Sequence, residues 1–365
     1  MSTLQPAQKL LHLEFLRIVA IILVIYNHAG TFVIPNGSSY ELTNWLIYFG
    51  STTCKVAVPL FFMISGALLL GRQEDYVTLY KKRVWRFIVI LVVFIVIQHL
   101  WKAVLQHISD SNYNVTLHTF MSDVAYGIME GNGKRAQVTW FLYAYLMLLV
   151  FLPLLRALAA KMRPMDYMYL LSICCVCEFL LKLPYFLQFS KIYFLFKHTP
   201  FMPLSEFGPF TAGYGAFYML MGFFAERHLI EKMQSSTFRW SLAGISVLLL
   251  ILSTVVLTIV QNQQLMGCFL PIPTIAIYLW AKYMFERYPA PSWYAKILCL
   301  LGSSVFVVML TENIWRTIVS NTILPQAKAA DAAYYLYLTQ VLLAFALAAT
   351  LGMLLKLIPV IKRYI

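Results

Sequence analysis

An all-α fold that crosses a membrane about ten times is the architecture this sequence predicts, on three observations. Of its 365 residues, 61% are hydrophobic and 12% charged, and the mean hydropathy is +0.74; a water-soluble fold of that composition has too little polar surface to cover itself. Apolar stretches of about 18–25 residues recur from Phe15 to the C-terminus, each long enough to cross a hydrocarbon layer of about 30 Å as a helix. Lys and Arg alternate in density between successive connections, as cytoplasmic loops require.

The expected spans lie near 15–34, 46–70, 87–106, 138–155, 167–187, 209–225, 240–260, 265–281, 297–319 and 334–358. Pro59 interrupts the second, which reads as one helix or as two pieces. With the N-terminus in the cytoplasm, Lys9, Arg72, Lys81, Lys82, Arg83, Arg86, Arg156, Lys161, Arg163, Arg227, Lys232 and Arg239 fall inside, followed by Lys282, Arg287, Lys296, Lys356, Lys362 and Arg363. They outnumber the basic residues left outside, so the N- and C-termini are both expected to be cytoplasmic. The first helix is followed by no small-residue cleavage site and is expected to be retained. Residues 1–365 read as a single transmembrane domain with no appended soluble domain.

The net charge of +13 excludes little by itself. Its basic residues sit in short loops instead of on one groove, which speaks against nucleic acid as a partner. Cys174, Cys175 and Cys177 lie inside an apolar run, and no Cys/His ladder supports a metal or redox centre. The longer polar segments, about 107–137 and 188–208, carry Tyr113, Asp123, Glu130, Asn132, Lys134, Arg135, Lys191, Lys197, His198 and Glu206. They are suited to holding a sugar-like molecule outside, or to a plain solvated connection.

Chemistry concentrates in the first span, where Arg17 and His28 stand eleven positions apart. That separation is close to three turns, so both project from one face, roughly 16 Å apart along the axis. Charged groups facing lipid are costly, so this face should look into protein-lined space. A snorkelling anchor remains the other reading of Arg17, and a packing histidine that of His28. Glu14 is placed to pair with Arg17. Farther along, Arg83 and Arg86 follow Lys81 and Lys82, and a pair three residues apart can grip phosphate oxygens through forked hydrogen bonds. Topology signalling produces a similar basic run. In VPLFFMISGALLLG, residues 58–71, Ser65 and Gly66 permit close helix approach. Glu178 and Glu312 lie within spans and need partners, as proton acceptors or as structural pairs.

Together, Glu14-x-x-Arg17 with His28, VPLFFMISG, Arg83-x-x-Arg86, TWFLYAYLMLLVFLPLL at 139–155 and YMLMGFF at 218–224 resemble the acyltransferase-3 family of membrane acyltransferases. The short stand-alone members that O-acetylate surface polysaccharides, the enterobacterial common antigen type among them, look most similar. The resemblance implies transfer of an acetyl group from cytosolic acetyl-CoA to a hydroxyl of a cell-surface polysaccharide or lipid-linked saccharide, in the inner membrane of a bacterium. It implies His28 as the catalytic histidine with Arg17 and Glu14 beside it. Arg83, Arg86 and Lys82 become contacts to the CoA phosphates, and Trp140, Tyr145, Glu130 and Glu312 contacts to the acceptor. No metal is expected. Two positions depart from common family patterns: Tyr145 stands where many members have Glu, and Glu312 lies near a usual late-helix histidine.

The implied chemistry needs one cavity that admits a thioester from the cytosol and holds His28 beside it. Neutral imidazole can take the proton of a sugar hydroxyl as it attacks the thioester carbonyl. A transporter lined by Arg17, His28, Glu178 and Glu312 is the alternative of a different class.

Overall fold

The computed structural model describes residues 10–29, 42–109, 116–130, 139–189, 209–260, 262–325 and 334–359. They form α1 (Leu11–His28), α2 (Leu42–Thr53), α3 (Ala57–Leu69), α4 (Tyr76–Leu79), α5 (Trp85–Ser109), α6 (Leu117–Glu130) and α7 (Thr139–Val150). These are followed by α8 (Leu152–Lys161), α9 (Pro164–Phe189), α10 (Pro209–Phe224), α11 (Ser236–Val260), α12 (Pro271–Arg287), α13 (Ser292–Ile318) and α14 (Tyr334–Leu355). No strand occurs among the described residues.

Among the described residues, six helical segments are long and apolar enough to cross a membrane: Leu11–His28, Asn44–Leu69, Tyr76–His107, Ser236–Val260, Ser292–Ile323 and Tyr334–Leu355. The pair α7 and α8, bent by 63°, makes a seventh if it counts as one span. The other expected spans fall on α9, α10 and α12, helices of 26, 16 and 17 residues. Each expected span therefore overlaps a helix, although the eighth starts at Pro271 instead of 265 and residues 30–34 of the first lie outside the described residues; six or seven, not ten, meet the length and apolarity of a crossing among the described residues.

Pro59 marks a joint in the second span. A 3₁₀ turn at Cys54–Val56 separates α2 from α3, and Pro59 lies in the first turn of α3, where its missing N–H leaves no helical bond unmade. Farther on, Asp75 caps α4 by accepting from the Thr78 amide at 2.9 Å. A π turn at Tyr80–Val84 then leads into α5, so Arg83 lies on widened backbone and Arg86 on the regular helix after it.

In lipid, apolar surface is already out of water, so helix association rests on close packing and polar contacts. Both occur around α1, which packs on α3, α12, α13 and α14 and buries Leu16, Ile21 and Ile25 completely. α3 and α10 cross through two glycines. A side chain at Gly66 would collide with the Met219 carbonyl, and one at Gly222 with the Met63 carbonyl. The polar tie sits at the start of α1, where Glu226 gathers three partners. His12 Nε2 is 3.3 Å from its carboxylate, Tyr278 Oη donates at 2.7 Å and Lys282 Nζ at 2.6 Å. This cluster joins α1, the turn after α10, and α12 at the end that the charge pattern reads as cytoplasmic.

Candidate active site

α1 presents chemistry at both ends of the bundle. At its C-terminal end His28 Nδ1 lies 2.8 Å from Glu312 Oε1 of α13. Glu312 is only 1% exposed, and a carboxylate that deep in the protein needs charged or hydrogen-bonded partners. Arg316, one turn farther along α13, places Nε 3.8 Å from Glu312 Oε2 and donates to Asn313 at 2.6 Å. The tautomer in which His28 Nδ1–H donates to the Glu312 carboxylate is the one that leaves the Nε2 lone pair available. Neighbouring Asn27 accepts from Lys55 Nζ at 2.9 Å and from the Cys54 thiol at 3.4 Å.

His28 opens on a cavity of about 450 Å³. Asn27, Lys55, Trp140, Glu178, Lys182 and Tyr214 supply its polar lining, with Val24, Phe61, Phe141 and Met309 among the apolar residues. A second cavity of about 510 Å³ lies toward the other end of α1 and is ringed by Arg17, Arg72, Lys82, Arg83, Arg86 and Lys356, with Ser65 and Tyr145. No acidic residue lines this cationic cavity among the described residues. Phe61, Phe141 and Met309 border both spaces. The sequence calls for one cavity; the structure has two, divided by those three side chains. Aromatic contacts hold the divider: Phe141 lies 5.9 Å from Phe61, 5.3 Å from Phe62 and 6.1 Å from Tyr145 between ring centres.

Several of the cations are already held. Arg17 pairs with Glu14 as its spacing predicts, and Gly302 of α13 leaves the room that Glu14 fills. Arg83 Nε donates to both oxygens of Glu74, at 2.9 and 3.1 Å. Arg156 reaches the same carboxylate at 3.2 Å while its Nε donates to the Leu69 carbonyl at 3.0 Å. Burial pushes the Glu74 carboxyl up, but the hydrogen bonds and charges of Arg83 and Arg156 outweigh it and leave the group below the usual glutamate range. Lys356 differs: its Nζ is buried and makes no hydrogen bond among the described residues.

The expected site residues are thus divided between the two spaces. His28 and Trp140 line the first; Arg17, Lys82, Arg83, Arg86 and Tyr145 line the second. Glu312, expected against the acceptor, is hydrogen-bonded to His28. Glu130 closes α6 and its side chain lies outside the described residues, as do Tyr113, Asn132, Lys134, Arg135, Lys191, Lys197, His198 and Glu206. Sequence reasoning read Arg72 and Lys356 only as cytoplasmic basic residues and not as site residues, yet they complete the cationic ring. Lys356 had a visible signal as the one charge inside LGMLLKLIPV. The described residues contain no cluster of side chains able to hold a metal ion.

A family model described as an acyltransferase domain matches residues 10–361. Neither a curated protein nor a solved structure matches the chain.

Proposed function

The chain belongs to the acyltransferase-3 family, and from that premise we propose that it is a membrane O-acyltransferase moving an acetyl group from cytosolic acetyl-CoA to a hydroxyl of a cell-surface polysaccharide or lipid-linked saccharide. In this reading residues 1–365 form one transmembrane unit of ten spans in a bacterial inner membrane, with both termini cytoplasmic. The observation that carries it is the pair of cavities meeting at Phe61, Phe141 and Met309, one cationic and one holding His28 with Glu312.

The cationic cavity fits a ligand with several phosphates. Its charges come from four different stretches of chain, and the Lys356 Nζ makes no hydrogen bond among the described residues. Arg86, Arg72, Lys82 and Lys356 hold the phosphates, and Arg83 joins them by exchanging Glu74 for a phosphate oxygen. The thioester arm then reaches past Phe61, Phe141 and Met309 toward His28. Glu312 fixes the ring with Nε2 as base. The acceptor hydroxyl gives its proton to Nε2 while its oxygen bonds to the thioester carbonyl carbon. The carbon–sulfur bond breaks, the departing sulfur takes that proton from Nε2, and the products are the ester and the free thiol. Arg17, about 16 Å from His28 along α1, acts at the donor end and not on the imidazole.

The test is transfer of radiolabelled acetyl from acetyl-CoA by purified protein in nanodiscs to glycan isolated from cells lacking the enzyme. Label in the glycan that disappears with His28→Ala is the expected result. Transport of the glycan across proteoliposomes, indifferent to acetyl-CoA and to His28→Ala, would overturn the assignment.

A further inference from the structure

A third cavity, of about 710 Å³ and larger than the other two, has no part in the acyl-transfer scheme. It is a groove between α11 and α12, closed by Phe15 of α1 and by the chain from Tyr288 to Tyr294. No charged residue lines it among the described residues. Pro273, Pro289 and Pro291 bring no N–H to its wall, and Ser246 donates its hydroxyl to the Leu242 carbonyl at 2.7 Å. Rings seal one side: Phe15 lies 5.6 Å from Phe285, which stacks on Tyr294 at 6.4 Å between centres. Such a space gains contacts from an aliphatic chain and would strip water from a polar ligand without replacing it.

The groove opens toward hydrocarbon and ends on cations. α11 is long and apolar enough to cross a membrane, and Val247 belongs both to the groove and to the exposed apolar surface of that helix, with Leu248 and Ile251. On α11 the lining residues Ala243, Val247 and Leu250 follow helical spacing, and one turn before Ala243 the same stripe carries Arg239. On α12 the stripe is Ile277, Trp280 and Met284, and its next position is Arg287. The two basic ends lie together, since Arg239 sits 4.6 Å over the Tyr283 ring and Trp240 lies 5.6 Å from Trp280. Lys296 follows Tyr294 by two positions on α13. Arg287 and Lys296 are exposed and make no hydrogen bond or ion pair among the described residues, while the adjacent acid Glu286 is bound to Lys282 at 3.0 Å. Exposed Trp240, Tyr288 and Trp293 surround this end, as aromatic residues do at the level of lipid headgroups. Phe15 stands roughly 20 Å from His28 along α1, so the groove lies toward the end of the bundle that holds the cationic cavity, away from the imidazole.

We propose that this groove is a binding site for an anionic phospholipid, with one acyl chain between α11 and α12 and the phosphate held by Arg287 and Lys296, Arg239 standing beside them. A zwitterionic headgroup brings a cation of its own to the same three residues and is disfavoured. The lipid fills the gap between α11 and the rest of the bundle and takes no part in bond making, so the site stands independently of the acyltransferase reading.

Native mass spectrometry of the delipidated full chain, titrated with phosphatidylglycerol or with phosphatidylcholine of identical acyl chains, tests this. The wild type should retain one phosphatidylglycerol with about tenfold preference over phosphatidylcholine, the order expected when basic side chains meet an anionic headgroup. The double substitution Arg287→Gln with Lys296→Gln should bring the two lipids level, and Arg287→Lys should keep the preference, which separates lost charge from lost folding. Val247→Trp, which fills the groove from its open side, should weaken retention of both lipids. Equal retention of the two lipids by the wild type, a preference that survives the double substitution, or retention unchanged in Val247→Trp would overturn the proposal. So would pairing of two chains through this face in place of lipid.

Discussion

The two cavities differ more in how their charge is arranged than in size. Around the cationic cavity, positive groups converge with no acid in the lining, and the acids that balance them, Glu14 and Glu74, stand behind Arg17 and Arg83. Around the histidine cavity, charges of both signs are interleaved, and the His28 ring is held by a buried carboxylate. The first arrangement suits strong, unselective capture of a polyanion by charge. The second suits a precise proton position with weaker, more discriminating binding. Phe61, Phe141 and Met309 keep the two environments apart. On the proposed route, a thioester would reach water on the His28 side only when they give way.

Breaking the proton-handling side should have the largest effect. Removing the base with His28→Ala is expected to lower acetyl transfer by about 10³-fold, within the range for a general base. Glu312→Gln, which keeps shape but lets the ring choose the wrong tautomer, should lower the turnover of bound donor by about 100-fold. In both variants the affinity for acetyl-CoA should stay near the wild-type value by equilibrium dialysis, because neither residue lines the cationic cavity. A large loss of donor affinity in Glu312→Gln would erase the distinction between the two spaces.

The donor side should respond in the opposite sense. Arg86→Ala and Lys356→Ala should each raise the acetyl-CoA dissociation constant by about tenfold, while single-turnover rates with saturating donor change little. Unchanged affinity in both would remove the phosphate role from this ring.

Effects at the divider should be smaller. Phe141→Ala opens the wall between the cavities and should raise acetyl-CoA hydrolysis without acceptor severalfold. A thiol-trapping assay for released CoA reads this directly. Hydrolysis equal to that of the wild type would mean that these side chains do not guard the route.

The smallest expected effect belongs to Glu74. Its carboxyl is held below the ordinary glutamate range, so its bonds to Arg83 and Arg156 contribute stability at neutral pH and lose it as pH falls through the depressed value. Glu74→Gln should therefore be less stable than the wild type by about 1 kcal/mol at pH 7, with the gap closing below about pH 4. Melting curves across that range check the sign, since a gap that widens on acidification would contradict the clamp.

The sequence made some of this site legible because some of it is local. Arg17, Glu14 and His28 share one helix, and their mutual placement follows from helical geometry alone. Arg83 and Arg86 share a short run, and Ser65-Gly66 announces a close crossing that Gly222 of α10 completes. What stayed hidden is carried by long-range contact. His28 and Glu312 are 284 positions apart, and periodicity gives the face of each helix without saying which face meets it. Glu74, behind Arg83, reads in sequence as ordinary loop polarity. Lys356 reads as a cytoplasmic anchor until its ammonium is found buried beside Arg17 and Arg86. Phe61 and Met309 are unremarkable apolar residues in sequence; only the meeting of α3, α7 and α13 makes them a wall.

The central claim is that a phosphate-bearing donor enters by the cationic cavity and delivers its thioester past the divider to His28. A structure of the protein with CoA bound tests it most directly. The account predicts phosphates on Arg86 and Lys356 and the thiol between Phe61, Phe141 and Met309, directed at His28 Nε2; CoA seated elsewhere, or with its thiol turned away from His28, would contradict it.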